Sequence, residues 1–277
     1  MSGTVRTIKR GGARWYVHPE THDKHPGVTS VLSMIPKPFL PFWNARMVAE
    51  LAVDSIDFVE QMAARDKAGA VDFLKGAATR YTRARSRLGS DAHDLFERLI
   101  RGEQLDRVGP DLEPYKRHFL EFLDTVRPEL VHAEDVCWND EIGYAGSFDA
   151  ILRVRLGKDG NLDPDGAPQL LIVDWKTSRD TYPDVALQLS AYRHAERIIH
   201  ADGSEEPMPV VYGAAVLHIT DQGWAFKPVR SGSEVFAVFC HLRRIFDWDR
   251  NQSGTVIGRA LAASAGPLVT GTQRRAK

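Results

Sequence analysis

Apolar positions between about Phe42 and Val126 recur at every third or fourth residue, as in Leu88, Ala92 and Leu95. This spacing places apolar side chains on one side of a helix, so this part of the chain is predicted to be helical. From Pro128 onward the pattern changes to short β-branched and aromatic segments separated by turn residues. These segments are typical of strands.

The strand and helix patterns of the second half alternate along the chain. They predict three consecutive strands, a helix, two more strands and a helix, at residues 129–139, 142–156, 169–178, 182–199, 210–220, 223–230 and 233–248. The expected class is α/β (α+β), with a mixed central sheet flanked by helices and a helical N-terminal region. The expected division is an N-terminal arm (1–27), a helical region (28–127), a core (128–251) and a flexible tail (252–277).

Composition narrows the class of protein. With 277 residues, of which 43% are hydrophobic, the chain can bury a sizeable core. It contains no apolar run of about 18 residues and no apolar signal segment, so we expect a cytoplasmic protein without a membrane span. Cys137 and Cys240 lie far apart in sequence, and neither belongs to a Cys-x-x-Cys pair, which favours two reduced thiols.

The apolar segment "LLIVDWKTS" contains an acid and a base at alternate positions. Side chains two residues apart on a strand lie on the same face, so Asp174 and Lys176 are expected to project together beside Ile172. An ion pair at a sheet edge would explain the two residues structurally. An active site at the end of a core strand would explain them chemically.

Three further segments carry polar side chains in otherwise apolar surroundings. Asp149 is expected inside a strand, Gln188 and Tyr192 on one helical face, and His93 beside an apolar helical stripe. Each has an ordinary structural explanation when it is taken alone. Together with Asp174 and Lys176, they can form a divalent-metal site with a cation that orients a water molecule.

These residues, in this order, resemble the PD-(D/E)XK nuclease superfamily and specifically its RecB-like branch. The resemblance rests on Asp149 in "AGSFDAI", on "DWK" at 174–176, on Gln188-x-x-x-Tyr192 and on the preceding His93. It covers about Val28 to Asp249, and the segment "VTSVLSMIPKPFLPFWNARMVAE" is similar to the start of exonucleases encoded by actinobacterial phages. It implies a restriction-endonuclease-like core.

The resemblance also implies a metal site that holds Mg²⁺ or Mn²⁺. Its ligands would be His93, Asp149, Asp174 and the backbone carbonyl of Trp175. Glu97 would be an acid that supports these ligands, or else a solvated helix residue. Some RecB-like relatives use four cysteines to hold an iron–sulfur cluster, and this chain has only two, so no cluster is expected.

The remaining residues of the resemblance imply the reaction. Lys176 would position or activate the attacking water, and Gln188 and Tyr192 would support the site and contact DNA near the scissile phosphate. The expected function is metal-dependent hydrolysis of DNA, as an exonuclease on linear ends in phage recombination or repair. The alternatives are a non-catalytic DNA-end-binding protein with the same fold and a metal-dependent small-molecule phosphohydrolase.

Binding of DNA would depend on local positive charge, because the net charge is only −1. On a helix, Arg80, Arg83 and Arg87 form one positive stripe with Arg85 to the side. The stripe either contacts phosphates or is a solvated helix face. The expected partners are linear DNA ends, either duplex or single-stranded, and, by resemblance, a single-strand annealing protein. The expected location is the cytoplasm of a bacterial host. The protein could also form an oligomer.

The acidic segment "DGNLDPDGAPQL" resembles a calcium-binding loop only superficially. Pro164 occupies the position where such a loop requires glycine, and Leu170 occupies the position of its closing glutamate. The segment is therefore predicted to be a hairpin connection.

Overall fold

The N-terminal arm forms a small antiparallel sheet. In a computed structural model, which describes residues 4–262, the order of this three-stranded sheet is β1-β2-β3. Its strands are β1 (Arg6–Arg10), β2 (Ala13–Val17) and β3 (Lys24–Pro26). The arm packs on the rest of the protein, since Tyr16 and Val17 are buried and a bridge joins Gly27 to Ala145.

The predicted helical region is confirmed and consists of six helices. They are α1 (Val28–Leu32), α2 (Leu40–Asp54), α3 (Ile56–Arg65), α4 (Lys67–Lys75), α5 (Ala77–Ile100) and α6 (Glu113–Val126). The apolar stripe of α5 is buried as its spacing predicts, with Ala92, Leu95, Phe96 and Leu99 in the core. Burial of this stripe, and not helix propensity alone, holds the long α5 in place.

The second half is a mixed α/β unit with two sheets. Its elements are β4 (Glu129–Ala133), β5 (Val136–Asn139), β6 (Tyr144–Ser147), β7 (Ala150–Leu156), β8 (Ala167–Lys176), α7 (Asp184–Arg193), β9 (Arg197–Ile199), β10 (Glu205–Pro207), β11 (Gly213–Ile219), β12 (Trp224–Val229) and α8 (Ser233–Asp247). The five-stranded sheet has the order β12-β11-β8-β7-β4, and the four-stranded sheet has the order β10-β9-β5-β6. The β8–β11 pair is parallel, and the remaining strand pairs of both sheets are antiparallel.

Two of the predicted strands are each divided, which corrects the sequence prediction. Residues 129–139 form β4 and β5 with a break at Glu134–Asp135, and residues 142–156 form β6 and β7 with a break at Phe148–Asp149. At each break the chain passes from one sheet to the other, as strands do at the corners of packed sheets. Asp149 therefore lies between strands and not inside one.

The two breaks are neighbours and are joined by backbone hydrogen bonds. The N–H of Glu134 donates to the carbonyl of Asp149 at 3.1 Å, and the N–H of Phe148 donates to the carbonyl of Asp135 at 3.2 Å. The predicted helix 182–199 also needs correction, because α7 ends at Arg193 and Arg197–Ile199 pairs with β5 as β9. The β-branched Ile198 and Ile199 are buried there, in an environment that favours a strand.

Helices cover both faces of the five-stranded sheet, and β8 contributes to both sides. Leu171, Val173 and Trp175 belong to the apolar cluster that includes α5 and α6. Ile172 belongs to the cluster that includes α1, α7 and α8. Since side chains alternate along a strand, Asp174 projects toward α7.

Several smaller predictions can be compared with the fold. The loop 157–166 joins the antiparallel strands β7 and β8, which confirms the hairpin connection. Cys137 is a buried free thiol and Cys240 is a partly exposed one. Within residues 4–262, no helix is both long and apolar enough to cross a membrane. Most of the predicted tail, 263–277, lies outside the described residues; Ser253–Thr255 forms a short 3₁₀ turn.

Candidate active site

Asp149 lies at the centre of the group of polar residues predicted from the sequence. Its Oδ2 accepts a hydrogen bond from the backbone N–H of Trp175 at 2.6 Å, which fixes the carboxylate beside the end of β8. Its Oδ1 lies 3.5 Å from Nδ1 of His93 on α5. Burial acts to lower the pKa of His93, but the hydrogen bond and the charge of Asp149 outweigh it and raise the pKa.

Asp174 is buried, and one neighbour on β8 and one on α7 contact it. Lys176 Nζ lies 2.5 Å from Asp174 Oδ2, and Gln188 Nε2 donates to Asp174 Oδ1 at 2.9 Å. Gln188 Nε2 also donates to the hydroxyl oxygen of Tyr192 at 3.1 Å. Lys176 Nζ lies 3.4 Å from Gln188 Oε1. Alternation on β8 and the four-residue spacing on α7 bring these side chains together, as the sequence predicts.

Tyr192 can approach the site closely because of a glycine in β6. A Cβ atom at Gly146 would lie 2.7 Å from Cε1 of Tyr192 and 3.1 Å from Cγ2 of Val28. Since both neighbours are buried core side chains, a larger residue at Gly146 would push α7 away from the sheet. The glycine of "AGSFDAI" therefore has a packing role beside the acid that follows it.

The electrostatics of Asp174 and Lys176 depend on each other. Burial, together with the charge of Asp149, raises the pKa of Asp174 to about 6. Burial acts to lower the pKa of Lys176, but the charges of Asp174 and Asp149 outweigh it and raise the pKa. Lys176 is therefore a cation at neutral pH, suited to hold and orient an oxygen nucleophile or a phosphate.

Glu134 is a further acid at the site, which the sequence analysis did not identify. It adopts a left-handed backbone conformation, with φ 58°, in the break between β4 and β5. The ligand atoms of His93, Glu134 and Asp149 all lie within 4.8 Å of one another. Loss of hydration, together with the charge of Asp149, raises the pKa of Glu134 to about 7.

The donor set fits a divalent cation. His93, Glu134 and Asp149 provide one nitrogen and carboxylate oxygens in a compact group, and Asp174 lies close enough to affect the pKa of His93. Burial is the main cause of the raised pKa values of Asp174 and Glu134, and crowding by the negative charge of Asp149 adds to it. A cation would relieve this crowding, and a set made mainly of oxygen donors suits Mg²⁺ or Mn²⁺.

The site opens into a cleft of about 1190 Å³. Its wall combines basic and aromatic side chains from the arm, from α2, from α5 and from the segment after β8, among them Arg14, Trp43, Tyr81, Arg85, Arg179 and Tyr182. Arg85, which the sequence analysis placed to the side of the arginine stripe, is the arginine of α5 that lines this cleft.

The predicted stripe of Arg80, Arg83 and Arg87 lies outside the main cleft. Arg83 and Arg87 line a smaller hollow between α2 and α5. Arg80 Nη2 donates to the carbonyl of Phe73 at 2.7 Å, and Arg87 lies 3.9 Å from Asp91. Two of the three stripe residues thus have partners within the helical region.

Glu97 does not contact the predicted metal ligands through any hydrogen bond or ion pair described for the chain. It holds Arg101 at 2.9 Å, and Arg101 Nη2 donates to the carbonyl of Ala133 at 2.9 Å. Ala133 immediately precedes Glu134, so Glu97 is connected through Arg101 to the backbone next to this turn. Its negative charge also adds to the rise in the pKa of Glu134.

Comparison with known proteins does not assign the chain to a family. No protein-family model matches the chain, and no curated protein is significantly similar to it. Functional inference therefore depends on the residues and their geometry.

Proposed function

We propose that the protein is a divalent-metal-dependent deoxyribonuclease, acting as an exonuclease on linear DNA ends in phage recombination or repair. The observation that carries the proposal is the grouping of Asp149, Asp174 and Lys176 at the end of β8, where Asp149 and Lys176 line the cleft and the buried Asp174 contacts Lys176. Two acids and a lysine at the end of a core strand are the residue types that phosphodiester hydrolysis with an oxygen-bound metal requires.

The strand connections support a restriction-endonuclease-like core as part of this proposal. β7 and β8 form an antiparallel hairpin, and β8 is followed by α7 and then by β11, which pairs parallel to β8. This arrangement presents Asp149, Asp174 and Lys176 at one end of the sheet, with α7 beside them. This order of elements supports the proposed core together with the motif.

His93, Glu134 and Asp149 are the residues best arranged to hold the metal, with Asp174 and the carbonyl of Trp175 as further ligands. A bound Mg²⁺ or Mn²⁺ supplies charge neutralisation at the phosphate and a more acidic water. Lys176 would orient the attacking oxygen through its positive charge, which the neighbouring acids favour. Gln188 holds Asp174 and Lys176 in position through contacts to both.

The size and lining of the cleft favour a polynucleotide over a small phosphate ester. Its volume of about 1190 Å³ exceeds that of an ordinary small-molecule pocket, about 300–1,000 Å³. Trp43, Tyr81 and Tyr182 offer rings against which bases can stack, and Arg14, Arg85 and Arg179 offer charge for phosphates. A phosphohydrolase of small substrates would need neither an extended aromatic wall nor several separated arginines.

The decisive experiment is incubation of the purified full-length chain with Mg²⁺ or Mn²⁺ and linear DNA labelled at the 5′ or the 3′ end. Covalently closed circles and nucleoside monophosphates serve as parallel substrates. We expect cleavage of linear DNA, resistance of closed circles and abolition of cleavage by excess EDTA. Ca²⁺ should support binding with little turnover.

Each alternative gives a different pattern. DNA-end binding without cleavage in any divalent metal would establish a non-catalytic end-binding protein. Release of phosphate from monophosphates with intact DNA would establish a phosphohydrolase. Undiminished DNA cleavage in excess EDTA would exclude a metal-dependent mechanism.

A further inference from the structure

A second cluster of side chains that can bind a metal includes a residue of the turn that carries Glu134. His132 at the end of β4, Asp135 in the break and His200 in the β9–β10 turn bring their ligand atoms within 4.8 Å of one another. We propose that His132, Asp135 and His200 form a transition-metal site of the zinc class, separate from the candidate active site. The proposal does not depend on the nuclease activity.

The spacing of the donor atoms matches a small tetrahedral ion. Asp135 Oδ2 lies 3.3 Å from Nδ1 of His132 and 3.2 Å from Nδ1 of His200. Two ligands at roughly 2.0–2.1 Å from a tetrahedral ion are separated by about 3.3 Å. Both histidines present the same nitrogen, Nδ1, to the same carboxylate oxygen, as ligands of one ion would.

The opposite sides of the two imidazole rings have a common acceptor. Nε2 of His132 lies 3.4 Å from Oε1 of Glu206, and Nε2 of His200 lies 3.2 Å from the same oxygen. A neutral imidazole has one N–H and one lone pair. Nδ1 of His132 is within hydrogen-bonding distance of Asp135, and the tautomer of each ring decides which nitrogen carries the proton. The tautomer with N–H on Nε2, facing Glu206, leaves both Nδ1 lone pairs toward Asp135, as in a histidine that binds a metal and is oriented by a carboxylate.

The side chains of the cluster pack against one another and are partly shielded from solvent, with His200 the most exposed of the three at 28%. The two imidazole rings stack with centroids 5.7 Å apart and an interplanar angle of 20°. The side chains of His132 and Asp135 are only 13% and 14% exposed. Backbone hydrogen bonds fix both turns, from Phe148 N–H to the Asp135 carbonyl and from His200 N–H to the Ser204 carbonyl.

Its composition distinguishes this cluster from the candidate active site. Two imidazole nitrogens and one carboxylate favour Zn²⁺, whereas the oxygen-rich set around Asp149 and Asp174 favours Mg²⁺ or Mn²⁺. Asp135 follows Glu134 directly in sequence, so one turn contributes to both clusters, and only Glu134 of the two lines the cleft. The inferred ion would brace the turn that presents Glu134 to the cleft.

The test measures metal binding by the full-length chain in a His93→Gln/Asp149→Asn background, which removes two ligands of the candidate active site. Zn²⁺ is titrated calorimetrically, and Co²⁺ is used as a spectroscopic probe of tetrahedral coordination. We expect one Zn²⁺ per chain, intense visible Co²⁺ absorption and no displacement by excess Mg²⁺. Far-UV circular dichroism verifies folding of every variant.

Substitutions in this background assign the ligands. His132→Gln and His200→Gln should each weaken Zn²⁺ binding by about 10²-fold or more, and Glu206→Gln by about 10- to 100-fold. The exposed His241 on α8 provides the matched control, and His241→Gln should bind Zn²⁺ unchanged. Glu206, which is 45% exposed, keeps the test valid if a histidine variant fails to fold.

Two results would overturn the proposal. One is the absence of saturable Zn²⁺ binding and of tetrahedral Co²⁺ absorption in the His93→Gln/Asp149→Asn background. The other is Zn²⁺ binding that is equally strong in the control His241→Gln and in each of His132→Gln, His200→Gln and Glu206→Gln. Either would identify the cluster as a network of ion pairs.

Discussion

Asp140 and Asp174 are both paired with basic residues, yet their surroundings shift the pKa values of the two carboxyl groups in opposite directions. Asp140, next to β5, receives contacts from His25 Nε2 at 2.9 Å, Trp138 Nε1 at 2.8 Å and Arg197 Nη2 at 2.6 Å. Burial acts to raise the pKa of Asp140, but these donors hold it well below its ordinary value of 3.8. The charge of the Asp140 carboxylate is thus compensated by donors within the protein.

Asp174 is contacted by Lys176 and Gln188 but remains under-compensated. Its complete burial and the neighbouring charge of Asp149 raise its pKa to about 6. An acid that serves only structure is expected to have enough donors for its charge, as Asp140 has. In contrast to Asp140, the donors to Asp174 do not outweigh its burial and the neighbouring charge of Asp149.

The largest expected difference between the two regions concerns catalysis. Asp174→Asn and Asp149→Asn should each abolish DNA cleavage, while the fold is retained because each substitution removes crowded negative charge. Single-turnover cleavage with saturating Mg²⁺ and thermal melting without metal measure the two effects. Wild-type cleavage rates in either variant would show that the substituted acid is structural.

Asp140→Asn is the matched control for these two variants. It should cleave DNA at the wild-type rate but lose about 1 kcal/mol of stability at neutral pH, because a partly exposed ion pair contributes little more. Since the pKa of Asp140 is lowered on folding, its contribution is present above pH 3.8 and is lost as the pH falls through the folded value. The variant should therefore lose less stability than the wild type on acidification below pH 4.

Lys176 provides the next largest effect. Lys176→Ala, with saturating Mg²⁺, should keep most of its DNA affinity and lose on the order of 10² in the cleavage step. Without metal, removing the cation leaves Asp174 uncompensated and should lower stability by about 3 kcal/mol. Lys176→Arg should restore little cleavage, because a planar guanidinium does not reproduce the contacts of an ammonium group.

The metal dependence of that stability loss separates two roles. If Lys176 orients the nucleophile, added Mg²⁺ restores the melting temperature of Lys176→Ala but does not restore cleavage. If Lys176 serves only as the ion-pair partner of Asp174, the folded variant cleaves normally.

Arg85 should have a smaller and more uniform effect on DNA binding. Arg85→Ala should weaken binding to all sequences and reduce the slope of log affinity against log salt by about one, because one phosphate contact is lost. Arg87→Ala removes an arginine from the same helix outside the main cleft and is the matched comparison. A larger change in slope for Arg87→Ala than for Arg85→Ala would indicate that DNA binds to the stripe of Arg80, Arg83 and Arg87 and not to the cleft.

Glu134 should give the smallest effect, visible in the pH dependence of stability without metal. Its pKa rises from 4.5 to about 7 on folding, so between these values the unfolded chain ionises first and the folded state is destabilised as pH rises. Glu134→Gln should therefore show a smaller fall in melting temperature between about pH 5 and pH 8. An unchanged pH profile would place Glu134 away from the crowded acids.

Much of the candidate site was predictable because strand and helix periodicities fix which side chains share a face. Asp174 and Lys176 project together from β8, and Gln188 and Tyr192 meet them from α7, as the spacing of two and of four requires. The helical region and the β7–β8 hairpin were predictable for the same local reason. His93 also lies beside Asp149, as the sequence and the resemblance implied, although helical spacing alone placed it only beside an apolar stripe.

Only the tertiary structure decided where the chain changes sheets. The breaks at Glu134 and Asp149 arise because β4 and β7 pair in one sheet while β5 and β6 pair in the other, and local patterns of apolar residues carry no information about this choice. Pairing with β5 also explains why Ile198 lies in β9, although its segment has a helical pattern. The sequence by itself determined the chemistry of the strand end and of the facing helix, whereas long-range pairing of strands decided which acids join that site.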